Sequence, residues 1–303
     1  MLKYKIKSNY YSNATDIYLD AEMERSIKLQ EQEIEKKLKS KNIVGIKRKL
    51  IISGSIVEVE IFPVWDTNSI NRGKKSGPTK TEQRAVNTRN AIKRVVRLIN
   101  ANFTEKDMWI TVGYKGGTEP YSYERCKKDI KNYIERLRTV CRNNSWEDIK
   151  YIYTIERNKS GKYHAHIVMN FPDRDIAEKK WGHGKYPQAR RLKPDDFGLE
   201  GMAKYVAKNI EDKMSLDADE EGIKRNSYGW SLNLDKPVIH ESYTAIKKRK
   251  VEKIAKDDAL RVEYFNTHKD YKKYKYLTSQ VTYSPYTDGC YIYAKFRKKE
   301  QKE

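Results

Sequence analysis

The chain has 303 residues, with 63 Lys and Arg against 42 Asp and Glu, and a formal net charge of +21. So large a basic excess points to a polyanionic partner, held through phosphate contacts and counterion release. An anionic membrane surface also fits the charge, but no apolar run approaches the ~18 residues that a spanning helix needs, so no membrane partner is expected. The N-terminus, Met1-Leu2-Lys3-Tyr4-Lys5, lacks the apolar stretch of a secretory signal. Tyr is abundant, at 23 copies against 6 of Phe, which suits rings that pack while presenting a hydroxyl to a polar partner. The three cysteines, Cys126, Cys141 and Cys290, form no CxxC pair, which argues against zinc ribbons and thioredoxin-like chemistry. An odd, sparse set fits a reducing cytoplasm.

In chain order, residues 20 to 40 are charged and helical in composition, with Asp20 as a candidate cap. Two β-branched runs then meet at Ser53-Gly54 and read as a hairpin. Asn71 to Pro78 is a basic, glycine-rich loop. Thr79 or Thr81 can cap the next helix, with Glu82 at capping-box spacing from Thr79. That helix runs to about Asn102, with Ile92, Val95, Val96 and Ile99 as its buried stripe. Its basic residues, Arg89, Lys93, Arg94 and Arg97, form either a solvated face or a DNA contact.

From Asp107 the pattern turns α+β. Met108 to Tyr114 reads as a strand, Glu124 to about Arg142 as an amphipathic helix, and Ile149 to Glu156 as a second strand. After a turn at Arg157 to Gly161, Lys162 to Phe171 is a third strand that pairs back on the second. Residues around Lys185 to Leu192 are a further candidate strand. Asp195 or Asp196 can cap a helix through Lys213. This order predicts an α+β fold with a central antiparallel sheet and helices segregated to one side. The expected domains are an N-terminal extension over 1–80, a core over 81–235 and a basic C-terminal segment over 236–303, a candidate DNA-binding module. In that last segment, Lys247 to Lys250 and the run Tyr271 to Tyr276 are candidate DNA contacts.

Chemistry concentrates in Tyr163-His164-Ala165-His166. Alternate residues of a strand share a face, so His164 and His166 point the same way. Glu156 ends the preceding strand, and the turn returns it beside His164. Two imidazoles and one carboxylate make a three-point site for Mg²⁺ or Mn²⁺ with positions left for substrate oxygens. Farther on, Tyr205 and Lys208 are three apart on one helix face. A deprotonated or polarised tyrosine hydroxyl can attack a phosphodiester, and a nearby lysine can offset charge on phosphate or phenolate. His183 is either a ligand, a phosphate contact or a loop histidine between two glycines.

Taken together, these motifs resemble the HUH endonuclease superfamily, and within it the rolling-circle replication initiator (Rep) proteins of plasmids, phages and integrative elements. Trp109 to Tyr114 is similar to the apolar first motif, Tyr163-His164-Ala165-His166 to the metal motif, and Tyr205-Val206-Ala207-Lys208 to the nucleophile motif. The resemblance covers roughly residues 72 to 240. It implies an HUH/RRM-like palm and a metal held by Glu156, His164 and His166. It implies attack by Tyr205, assisted by Lys208, and a covalent 5′-phosphotyrosine. It also implies single-stranded or extruded origin DNA as substrate, duplex origin DNA as a further partner, and a host helicase and polymerase in a bacterial cytoplasm. Ala165 departs from the bulkier apolar residue usual between the histidines. The nearest glutamate before Tyr205 is Glu200, five residues away, which places it off the tyrosine's face on a regular helix. The resemblance therefore does not say how a replication round would end. The alternatives are a relaxase or transposase of the same class, a metal-dependent hydrolase that uses water directly, and a non-catalytic basic nucleic-acid binder.

Overall fold

The computed structural model describes residues 21–66, 80–115, 122–157, 163–184, 187–204, 206, 228–283 and 287–299. The fold is α+β, built on two five-stranded antiparallel sheets.

The central sheet contains β3 (Met108–Val112), β4 (Tyr151–Arg157), β5 (Tyr163–Met169), β6 (Gln188–Arg191) and β7 (Tyr228–Trp230), in the order β6-β3-β5-β4-β7. Alternation along its strands sorts the side chains by face. On one face Met108, Ile110, Val112, Ile155, Ala165, Ile167 and Met169 form a buried cluster. That face is covered by α3 (Tyr123–Asn143) and α4 (Arg174–Lys180). The start of α3 is set by Ser122, whose hydroxyl accepts from the Arg125 N–H, satisfying one of the donors that every helix N-terminus leaves open. Its buried stripe, Cys126, Ile130, Tyr133, Ile134, Leu137 and Cys141, has the three-to-four spacing of one helix face. Asp173 caps α4 in the same way, accepting from Ile176 N–H at 2.8 Å.

The opposite face of the central sheet is divided. Ile152 and Val168 lie under α2 (Lys80–Asn102), through Val95, Leu98 and Ile99, and under a helix, α5, over residues 200–204, with Ala203 and Val206 also buried in this cluster. The remaining part of the face carries the histidines.

The second sheet unites the two ends of the chain. It contains β1 (Ile43–Ser53), β2 (Ile56–Trp65), β8 (Val238–Ser242), β9 (Tyr274–Thr282) and β10 (Tyr291–Lys298), in the order β8-β1-β2-β10-β9. The hairpin expected at Ser53-Gly54 is present, with Ser53 opposite Ile56 and Gly54 at φ +58. Val57, Val59, Ile61, Ile292, Ala294 and Phe296 form a core with residues of α1 (Ala21–Leu38), α6 (Lys248–Lys256) and α7 (Asp258–Thr267).

Several local readings change. The helix expected after Asp195 or Asp196 begins at residue 200. Asp195 and Gly198 exchange backbone hydrogen bonds of 2.8 and 3.0 Å in a tight turn, with Gly198 at φ +72. In the run Tyr271 to Tyr276, Tyr271 is fully buried and Tyr274 and Tyr276 pack on the same core, so their rings fill the interior instead of facing DNA. The basic residues of α2 are neither purely solvated nor free for DNA. Arg97 pairs with Glu58 at 2.6 Å and Glu60 at 2.7 Å, and the Arg94 guanidinium lies 4.9 Å from the Trp230 ring centre. The three cysteines are free and buried. The caps proposed at Asp20 and Thr79, the basic loop over 71–78 and most of the turn after Arg157 lie outside the described residues.

Candidate metal centre

The β4–β5 hairpin places Glu156 directly opposite His164 and Thr154 opposite His166, while β3 places Thr111 opposite His166 on the other side. Facing residues of neighbouring strands point to the same side of a sheet. The two histidines, Glu156 and Thr111 therefore share the face that α3 does not cover. The Glu156 carboxylate reaches both imidazoles, with Oε1 3.2 Å from His166 Nε2 and Oε2 3.5 Å from His164 Nε2. One donor atom from each residue lies within 4.8 Å of the others, the single such group among the described residues.

The site is graded in exposure. The His166 side chain is 8% exposed, that of Glu156 18% and that of His164 29%. The cluster is thus anchored in the sheet and open on the His164 side. Burial works to raise the Glu156 carboxyl, but hydrogen bonds from His164 and His166 prevail and hold it well below the usual carboxylate range. A carboxylate kept ionised between two imidazoles is a donor set suited to a hard or borderline divalent cation.

Thr111 and Trp109 support His166, and neither was singled out from the sequence as a site residue. Thr111 Oγ1 is 2.9 Å from His166 Nδ1, and Trp109 Nε1–H donates to the same hydroxyl at 3.2 Å. The Trp109 ring also stacks on the imidazole, with centroids 5.0 Å apart at 28°. Held by Trp109 and facing Nδ1, the threonine hydroxyl fixes the ring plane and leaves Nε2 toward Glu156. Outer contacts of this kind orient imidazole ligands in metal sites.

His183 is not part of the cluster. Its Nε2 lies 3.9 Å from Asp129 Oδ1 of α3, and its ring sits against Trp181 and Tyr114. Asp129 is buried and also accepts from Tyr114 Oη at 3.2 Å and Arg125 Nε at 3.3 Å. Trp181 is fully buried, a core residue and not a stacking platform. Glu200 is engaged by Lys204 at 2.8 Å and by Lys295. Tyr205 and Lys208 lie outside the described residues.

Residues 107–214 match the family model of the replication-associated proteins of the ORF2 type. The match is consistent with a rolling-circle Rep protein. The matched stretch is about a third of the chain and contains β3 to β6, the Glu156–His164–His166 cluster and residues 200–206. The resemblance drawn from the motifs is borne out at the level of a replication-associated protein. Comparisons with curated proteins and with solved structures give no significant match. Among the described residues, no helix is long and apolar enough to cross a membrane.

Proposed function

We propose that this protein is a rolling-circle replication initiator, a metal-dependent endonuclease of the HUH class that nicks and rejoins one strand of origin DNA. The observation that carries the proposal is the Glu156–His164–His166 cluster on one sheet face, inside a segment that matches a replication-associated family. Glu156, His164 and His166 would hold Mg²⁺ or Mn²⁺. A bound ion supplies Lewis-acid polarisation of a non-bridging phosphate oxygen.

The chain's own groups do the rest. The Tyr205 hydroxyl gives up its proton and attacks phosphorus in line. The bond from phosphorus to the 3′ oxygen breaks, and that oxygen takes up a proton and leaves as a 3′-hydroxyl that can prime a polymerase. The 5′ phosphate stays on the tyrosine as a diester, so the step can run backward and rejoin strands. Lys208 offsets negative charge on the phosphate or orients the phenol. The substrate is single-stranded or extruded at the nick, because a phosphate inside a duplex cannot reach a sheet face. The net charge of +21 would hold the DNA backbone, duplex flanks included. A host helicase and polymerase in the bacterial cytoplasm complete the proposal.

The test is incubation of the full chain with single-stranded origin oligonucleotides and Mn²⁺. The expected result is a protein–DNA adduct that survives denaturant, maps to Tyr205 by mass spectrometry and is absent in Tyr205→Phe. Tight binding with no adduct on any origin strand would instead identify a non-catalytic binder. Cleavage retained in Tyr205→Phe but lost in His164→Ala would identify a hydrolase that uses water directly.

A further inference from the structure

The segment leading into α5 is held by the second sheet at four points. Ile56 of β2 lies against Gly198, where an added Cβ would meet its Cγ1 at 2.9 Å and Asn100 Oδ1 at 2.5 Å. Arg297 of β10 donates to the Asp195 carbonyl at 2.9 Å, and Lys275 of β9 pairs with Asp196 at 3.2 Å. Lys295 of β10 pairs with Glu200, the first residue of α5. From α2, the Asn100 side chain accepts from the Leu199 N–H at 2.9 Å. On its other side the same segment buries Leu199, Ala203 and Val206 in the cluster that includes Ile152 and Val168 of the central sheet.

The Lys295–Glu200 pair is the strongest of these links. Both side chains are largely buried, at 7% and 14% exposure, on the wall of a cleft of about 490 Å³ between the second sheet, α2 and α5. An ion pair in such surroundings has narrow geometric tolerance, because each charge has lost its water and depends on its partner. The Lys295 ammonium also lies 5.7 Å from the Phe197 ring centre and 5.8 Å from that of Tyr293. Glu200 is thus committed to cations on both sides and is not available as a base for water.

We infer that the second sheet is a positioning platform for the nicking reaction, and that Lys295, acting through Glu200, sets the placement of α5 against the central sheet. Residue 205 directly follows residue 204 of α5, so the inference rests on Tyr205 being the nucleophile. The N-terminal hairpin and the C-terminal strands then serve the reaction by fixing where the attacking residue is carried, in addition to any contact they make with DNA. Small displacements of a reacting group are costly, since a misplacement of about 1 Å can lower a rate ~100-fold.

The experiment uses the full chain and the variants Lys295→Met, Lys295→Glu, Glu200→Lys and the double exchange Lys295→Glu/Glu200→Lys. The first readout is hydrogen exchange. Lys295→Met should speed exchange over 199–206 at least about tenfold while β4 and β5 keep their protection, as expected for local rather than global opening. The second is the single-turnover rate of adduct formation on an oligonucleotide that the wild-type protein joins. Each single variant should lose about tenfold or more, with Mn²⁺ affinity unchanged, and the double exchange should recover most of the loss. Unchanged exchange over 199–206 in Lys295→Met would overturn the inference, as would single variants that react at the wild-type rate. An adduct that persists in Tyr205→Phe would overturn the assignment of the nucleophile instead, and the exchange measurement would still report on the anchor.

Discussion

Glu156 on β4 stands directly opposite His164 on β5, and its carboxylate spans from that imidazole to His166, two residues farther along the strand. One carboxylate therefore fixes both histidines, and the three donors converge without help from any loop. Rigid sheet positions hold such a constellation more tightly than loops do.

The first prediction concerns that carboxylate. Glu156→Gln keeps the shape but removes the charge between the imidazoles. Mn²⁺ affinity measured by calorimetry should fall by more than about 100-fold, beyond the ~10–100-fold typical of outer contacts. A variant that binds Mn²⁺ as tightly as wild type would remove Glu156 from the ligand set.

Thr111 provides a subtler test. Thr111→Val removes the oxygen facing His166 Nδ1 while preserving the β-branched shape that suits a strand. Mn²⁺ affinity should drop by about 10–100-fold, and Thr111→Ser should restore most of it. Equal losses in both variants would mean that packing of the methyl group, and not the hydroxyl, is what His166 requires.

His183 should behave differently from the two strand histidines. It sits on Asp129, away from the cluster, and shares no partner with the ligands. His183→Ala should leave Mn²⁺ affinity within about twofold, as expected for a site without shared contacts. A loss comparable to that of His164→Ala would place it in the centre.

Arg97 ties α2 to β2 and should matter chiefly for stability. Its side chain is 18% exposed and contacts Glu58, at 7% exposure, as well as Glu60. Arg97→Met strands these carboxylates and should cost about 3–5 kcal/mol in denaturant unfolding. The exposed Lys93–Glu60 pair at 3.4 Å should contribute no more than about 1 kcal/mol. A dependence on pH follows from Glu60. Burial works to raise its carboxyl, but the charges of Arg97 and Lys93 prevail and hold it below the ordinary value of 4.5. A depressed carboxyl adds stability above its unfolded pKa, and that contribution is lost as pH falls through the folded value. The melting temperature of the wild type should therefore decline as the pH drops below 4.5, and Arg97→Met should show a shallower decline over the same range. An identical slope in both proteins would mean that Glu60 is not the group responsible.

The sequence by itself determined what is local. His164 and His166 alternate on one strand, Glu156 ends the strand before it, and only a short turn intervenes. Strand alternation and a hairpin are enough to bring those three together, because both act over a few residues. The cap and buried stripe of α3 are local for the same reason. What only the tertiary structure decided depends on pairings between distant segments. Thr111 meets His166 because β5 chose β3 as its second neighbour, across 55 residues. Glu58 and Glu60 alternate with valines and read as the wet face of a hairpin, yet α2 covers that face and Arg97 pairs with both. The chain's two ends read as separate extensions, but β2 and β10 are neighbours in one sheet. Tyr271 looks like a stacking ring among lysines and is instead core. In each case the residue type allowed two environments of similar free energy, and the choice fell to which apolar faces found one another, a property of the whole folded chain.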